Sequence, residues 1–140
     1  MAFKLNISDK GKAWKLETET EYLVGKSLGD KIDGKELKAE LEGYELEITG
    51  GSDGAGFPLY SGLPGLNLRK VLLTKGWGMK DNGEGVRRKK TVRGKTISTL
   101  VSLVNFKVIK SGSKKLSEIF PEQNQPKAKK EPVAAPAVAA

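Results

Sequence analysis

Apolar side chains in this chain recur at every second position in short runs. Phe3, Leu5 and Ile7 alternate with Lys4, Asn6 and Ser8. A period of two gives one dry and one wet face only in an extended strand. Asp9-Lys10-Gly11-Lys12 has turn chemistry, and Trp14, Leu16 and Thr18 then face one way against Lys15 and Glu17, which predicts a hairpin over residues 3–18. Leu28 to Gly34 reads as a short strand between tight turns, and Tyr44, Leu46 and Ile48 alternate with Glu45 and Glu47 as a further half-buried strand. Asp33 can cap a brief helix carrying Leu37 and Leu41 on one face, with Gly43 as its stop. Gly50 to Pro58 is too rich in glycine for regular structure. Leu68 to Thr74 reads as a strand, Val92-Arg93-Gly94 as a return to the sheet, and Thr96–Ile109 as two buried strands or one long bent one. Close-spaced strands, turns between them and one or two short helices predict a mainly β protein built as a small β-barrel.

The chain has 140 residues, enough for one domain. After Phe120 the pattern stops: Pro121 to Ala140 holds four of the six prolines, an Ala/Val ending and Lys127-Ala128-Lys129-Lys130. That composition predicts a barrel over 1–116 and, over 117–140, a short helical stub at Leu116–Phe120 followed by a disordered tail. The apolar runs are too short to span a bilayer, and the alternating start leaves no room for a signal segment, so a cytoplasmic location is expected. With no cysteine and no histidine, disulfides, thiolate nucleophiles, thiolate zinc sites and imidazole bases are all excluded.

Charge is segregated. Residues 1–50 carry 8 Lys against 11 acids, and residues 51–68 carry Asp53 alone. Residues 69–95 hold Arg69, Lys70, Lys75, Lys80, Arg87, Arg88, Lys89, Lys90, Arg93 and Lys95 against only Asp81 and Glu84. That window is net +8, equal to the charge of the whole chain, and it contains every arginine. Guanidinium pairs bidentately with phosphate where ammonium acts as a point charge, so the window is read as a polyanion-binding surface rather than a solubilising loop. Gly76-Trp77-Gly78 and Asn82-Gly83-Glu84-Gly85 make residues 75–95 a flexible cationic excursion, with Trp77 able to stack on a base or to plug the barrel end.

Other motifs carry no chemistry. Gly25-Lys26-Ser27 and Gly94-Lys95-Thr96 look like the end of a phosphate loop. The glycine needed five residues upstream is Thr20 in one and Lys89 in the other. Asp30/Asp33 and Glu17/Glu19/Glu21 are the solvated charges of strands and turns. No catalytic constellation, cofactor site or metal site is expected, and an enzyme is not.

Ile48-Thr49-Gly50-Gly51-Ser52-Asp53, Gly56-Phe57-Pro58, Arg69-Lys70-Val71-Leu72-Leu73 and Arg87 through Gly94, in that order and spacing, resemble the archaeal and eukaryotic S6e family of small-subunit ribosomal proteins. Phe3 to Asp9 and Leu28 to Gly34 are similar to archaeal members, and the likeness covers about residues 3–110. The chain departs from the family in Leu59, where Met is common, and in Gly76-Trp77-Gly78-Met79, where a turn rich in Pro and Arg is expected. Its last serine is Ser117, so the phosphorylated C-terminal helix of eukaryotic relatives is not carried over.

The resemblance implies a translation-factor-like barrel that binds small-subunit rRNA beside neighbouring ribosomal proteins, monomeric outside the ribosome, with no membrane and no small-molecule substrate. Arg87, Arg88, Lys89, Lys90, Arg93 and Lys95 are then expected to clamp phosphates, with Arg69, Lys70, Lys75, Trp77 and Lys80 flanking them. The rival reading is a free-standing barrel that binds RNA or DNA outside the ribosome.

Overall fold

A computed structural model describes residues 2–123. The expected hairpin is β1 (Phe3–Asp9) against β2 (Lys12–Thr18), antiparallel, with Asp9 opposite Lys12 across the Lys10-Gly11 turn. Both turn residues have positive φ, 47° and 79°, the hand that matches strand twist. Phe3, Leu5, Ile7 and Trp14 are buried, as the alternation requires. After a 3-10 turn over Glu21–Leu23, the other strands and α-helices are β3 (Lys31–Asp33), α1 (Gly34–Leu37), β4 (Glu45–Asp53), β5 (Leu68–Leu73), β6 (Arg88–Arg93), β7 (Val101–Lys110) and α2 (Leu116–Ile119). Asp33 stands at the N-cap of α1 without a side-chain cap bond, and a 3-10 turn over Ala39–Leu41 continues the helix so that Leu37 and Leu41 are both buried.

Five strands form one sheet in the order β2-β1-β7-β4-β3. β7 pairs parallel to β1 and antiparallel to β4, so its ten residues run the length of the sheet. Leu5, Ile7, Leu46, Ile48, Val104 and Phe106 anchor the core on this sheet. β5 and β6 pair only with each other as a second, two-stranded unit. The ladders therefore do not close into a barrel. The hairpin reaches the large sheet through isolated bridges, Ser52 to Pro58 and Leu59 to Arg93, and a third bridge joins Ser27 to Thr96.

Two local readings change. β4 continues through Gly50-Gly51 to Asp53, where the glycine content argued against a strand. The register shifts at Ile48/Gly50 leave Thr49 as a bulge, and its Oγ1 donates to the Asn105 carbonyl at 3.2 Å. A Cβ on Gly51 would lie 2.4 Å from the Leu103 carbonyl oxygen, so glycine here permits the close approach of β4 to β7. Of the two alternatives for Thr96–Ile109 the single strand is the one found, with its start moved to Val101 and its end at Lys110.

Beyond β7, Leu116 and Phe120 of the helical stub are buried against the core. The Gln123 side chain accepts from the Lys15 N–H at 2.6 Å and donates to the Lys15 carbonyl at 2.8 Å, imitating a strand partner on the outer edge of β2. The rest of the tail expected to be disordered, residues 124–140, lies outside the described residues. Among the described residues no helix is long and apolar enough to cross a membrane.

Candidate functional site

The cationic window is a β-hairpin with a folded tip. β5 and β6 pair from Leu68 opposite Arg93 at the root to Leu73 opposite Arg88 at the tip. Alternation then divides the charges between two faces. Arg69, Arg88 and Lys90 share a face with Val71, Leu73 and Val92, of which Leu73 and Val92 are buried. Lys70 and Lys89 share the other face with Leu68, Thr91 and Leu72, which is 55% exposed. The stretch from Lys75 to Lys95 was expected to be a loop. Four of the six clamp residues, Arg88, Lys89, Lys90 and Arg93, instead lie on a regular strand, because Val92 and Thr91 extend the alternation through the basic run.

The tip, residues 74–87, is anchored. Met79 is buried and its N–H donates to the Gly76 carbonyl at 3.2 Å. Trp77 stacks on Tyr60, with ring centroids 4.9 Å apart and planes inclined by 28°, yet stays 51% exposed. Tyr60 is itself held at the hairpin root by its N–H donating to the Arg93 carbonyl at 2.9 Å. Trp77 thus neither plugs a barrel end nor hangs free. One of its faces is backed by Tyr60, an arrangement that suits the stacking of a flat ligand.

Of the ten expected cations, Arg69, Lys70, Lys75, Lys80, Arg87, Lys89 and Lys90 are exposed and have no carboxylate within ion-pair distance among the described residues. Arg88 is exposed and lies 2.9 Å from Asp81, a solvent-screened contact. Lys95 is half-buried.

Arg93 does not stand with the others. It is 8% exposed, and its Nε donates to Asp53 Oδ2 at 2.8 Å while Nη1 donates to the Leu66 carbonyl at 3.0 Å. Asp53, 3% exposed, also accepts through Oδ1 from the N–H groups of Ala55 and Phe57, at 3.0 and 2.8 Å. Burial alone would raise the Asp53 carboxyl; the Arg93 hydrogen bond, the two backbone N–H groups and the guanidinium charge outweigh it and hold the group below its ordinary value. Arg93 is a structural tie between hairpin and sheet. Its sequence signal was Asp53, the single acid in residues 51–68, facing the window that holds all the arginines. Tyr60 was missed as well, and its signal was an aromatic just after the Gly-Phe-Pro block. No group of three or more acids that could hold a metal ion occurs among the described residues.

The ribosomal protein S6e family profile matches residues 3–121. A small ribosomal subunit protein eS6 of Methanococcus maripaludis is 47% identical over 115 residues, covering 81% of this chain and 91% of the relative. The protein of the same name from Methanothermobacter thermautotrophicus is 43% identical, covering 86% and 96%, and that from Archaeoglobus fulgidus is 38% identical, covering 89% and 100%. On the extent of that match and on the identities, the chain belongs to the ribosomal protein S6e family.

Proposed function

We propose that this chain is a structural protein of the small ribosomal subunit that holds rRNA on its β5–β6 hairpin. The observation that carries the reading is the set of exposed, unpaired cations on both faces of that hairpin, beside the Tyr60–Trp77 stack. Arg69, Lys70, Lys75, Lys80, Arg87, Arg88, Lys89 and Lys90 neutralise phosphates, and Trp77 offers a face to an unpaired base. Affinity comes mostly from released counterions, and specificity from RNA shape. Buried Arg93 serves by fixing the hairpin to the sheet. The three isolated bridges support a partly closed barrel in which the hairpin covers one end. No chemistry is performed. The chain works in the cytoplasm on the ribosome, beside other ribosomal proteins, and is monomeric when free of it.

The test is the quadruple Arg87→Gln/Arg88→Gln/Lys89→Gln/Lys90→Gln variant. All four side chains are exposed, so the urea midpoint should hold. RNA affinity should fall, and the slope of log affinity against log salt should flatten by about 3, at roughly 0.7–0.9 per lost phosphate contact. An unchanged slope places the RNA elsewhere. Equal loss for rRNA and for unrelated RNA or DNA, without co-sedimentation with small subunits, favours a free-standing binder.

A further inference from the structure

At the end of the sheet away from the hairpin, the β1–β2 turn meets the segment that leaves β7. Asp9, Lys10, Lys12 and Trp14 from the turn, Tyr44 from the approach to β4, and Ser111 to Ser117 enclose a cleft of about 520 Å³. Its cations, Lys10, Lys12, Lys114 and Lys115, have no carboxylate within ion-pair distance among the described residues. Asp9 is the only acid among the residues lining it, and Glu118 lies near enough to raise the Tyr44 hydroxyl, after burial and Asp9. The Tyr44 hydroxyl donates to the Lys114 carbonyl, which fixes the lysine-bearing segment to the core.

A second observation concerns the wall. Trp14 is 5% exposed, and its Nε1–H is buried without an acceptor among the described residues. A buried donor left unpaired is costly, and such groups in a folded protein call for a reason. Here the orphan donor belongs to a residue that lines the cleft with the four unneutralised lysines.

We propose that this cleft is a second binding site, for the phosphate backbone of an RNA strand. Four lysines and no arginine give point charges without bidentate geometry, which suits backbone contact and not base reading. β7 separates this end of the sheet from the hairpin root, and its ten residues span about 30 Å at 3.3 Å each. The protein therefore ties together two RNA segments, one at each end of the sheet. Only the naming of RNA as the polyanion rests on the function proposed above; the cleft stands on its own geometry.

Trp14 supplies the test, because Trp77→Phe leaves it as the single tryptophan while keeping an aromatic face at the hairpin. In that background a single-stranded oligouridylate should change Trp14 emission saturably. Lys114→Gln/Lys115→Gln should weaken that response about tenfold and flatten its salt slope by roughly 1.4, two single-strand phosphate contacts, with an unchanged urea midpoint. The Arg87–Lys90 glutamine variant should leave the Trp14 response intact, so a failure at the hairpin and a failure at the cleft read out separately. Inorganic phosphate at equal concentration should give no response. A phosphate response as strong as that of the oligonucleotide would make this a small-anion site. Silence of Trp14, or a response indifferent to Lys114 and Lys115, would refute the cleft.

Discussion

Replacing Asp53 with Ala should be among the most damaging single changes in this protein. It strands the Arg93 guanidinium at 8% exposure and removes the acceptor of the Ala55 and Phe57 N–H groups. Breaking a buried ion pair from one side costs about 3–5 kcal/mol, most of it the uncompensated charge. Since a domain is stable by about 5–15 kcal/mol, the variant should lose roughly a fifth or more of its stability in urea unfolding. Arg93→Met should cost less, about 2–3 kcal/mol, because Asp53 keeps two backbone donors and can protonate. The double variant Asp53→Ala/Arg93→Met removes the charge altogether and should be less damaged than the sum of the singles by about 2 kcal/mol. Additive losses, or singles under about 1 kcal/mol, would refute the tie. The folded double variant should also keep the wild-type salt slope for RNA, which a phosphate-binding Arg93 would not allow.

The same pair sets an acid limit. The folded Asp53 carboxyl titrates below its ordinary value of 3.8. Above 3.8 the carboxylate is charged in both folded and unfolded chains, and its full contribution is present. As pH falls from there through the lower folded value, the unfolded chain takes up the proton first and that contribution is lost. Urea midpoints measured downward from pH 5 should therefore fall more steeply in the wild type than in the double variant.

Two further expectations follow from close contacts. A Cβ on Gly94 would stand 2.0 Å from the Gly65 carbonyl oxygen, a backbone atom that cannot swing aside, so Gly94→Ala should cost about 3 kcal/mol and lower the thermal midpoint by many degrees. Gln123→Ala removes two exposed hydrogen bonds to Lys15 and should cost less than about 1 kcal/mol, while faster amide exchange at Lys15 shows that the β2 edge has opened.

What the sequence disclosed follows the range of the interactions involved. The β1–β2 hairpin was legible because its alternation and its turn lie within sixteen residues of one another. The strand over Arg88–Arg93 was not, since four successive cations hide the alternation that Thr91 and Val92 complete, and only pairing with β5 reveals it. The Gly50-Gly51 segment misled for a related reason. Glycine there signals a carbonyl of β7 pressed against β4, a neighbour some fifty residues distant that local propensity does not contain.

Charge shows the limit more sharply. Counting cations in a window found the hairpin, because its exposed cations lie close together in sequence. The same count placed Arg93 among them, since no window joins it to Asp53, forty residues away. The cleft at the other end inverts the case. Lys10 and Lys12 belong to a half of the chain that is net acidic, and Lys114 and Lys115 follow a strand about a hundred residues later. The parallel pairing of β1 with β7, Lys4 opposite Leu103 through Ser8 opposite Lys107, brings the four lysines to one end of the sheet. Parallel neighbours need a long crossover, here most of the chain. A site assembled across such a pairing leaves no mark in any stretch of sequence, whereas a site built on a hairpin leaves its whole charge in one.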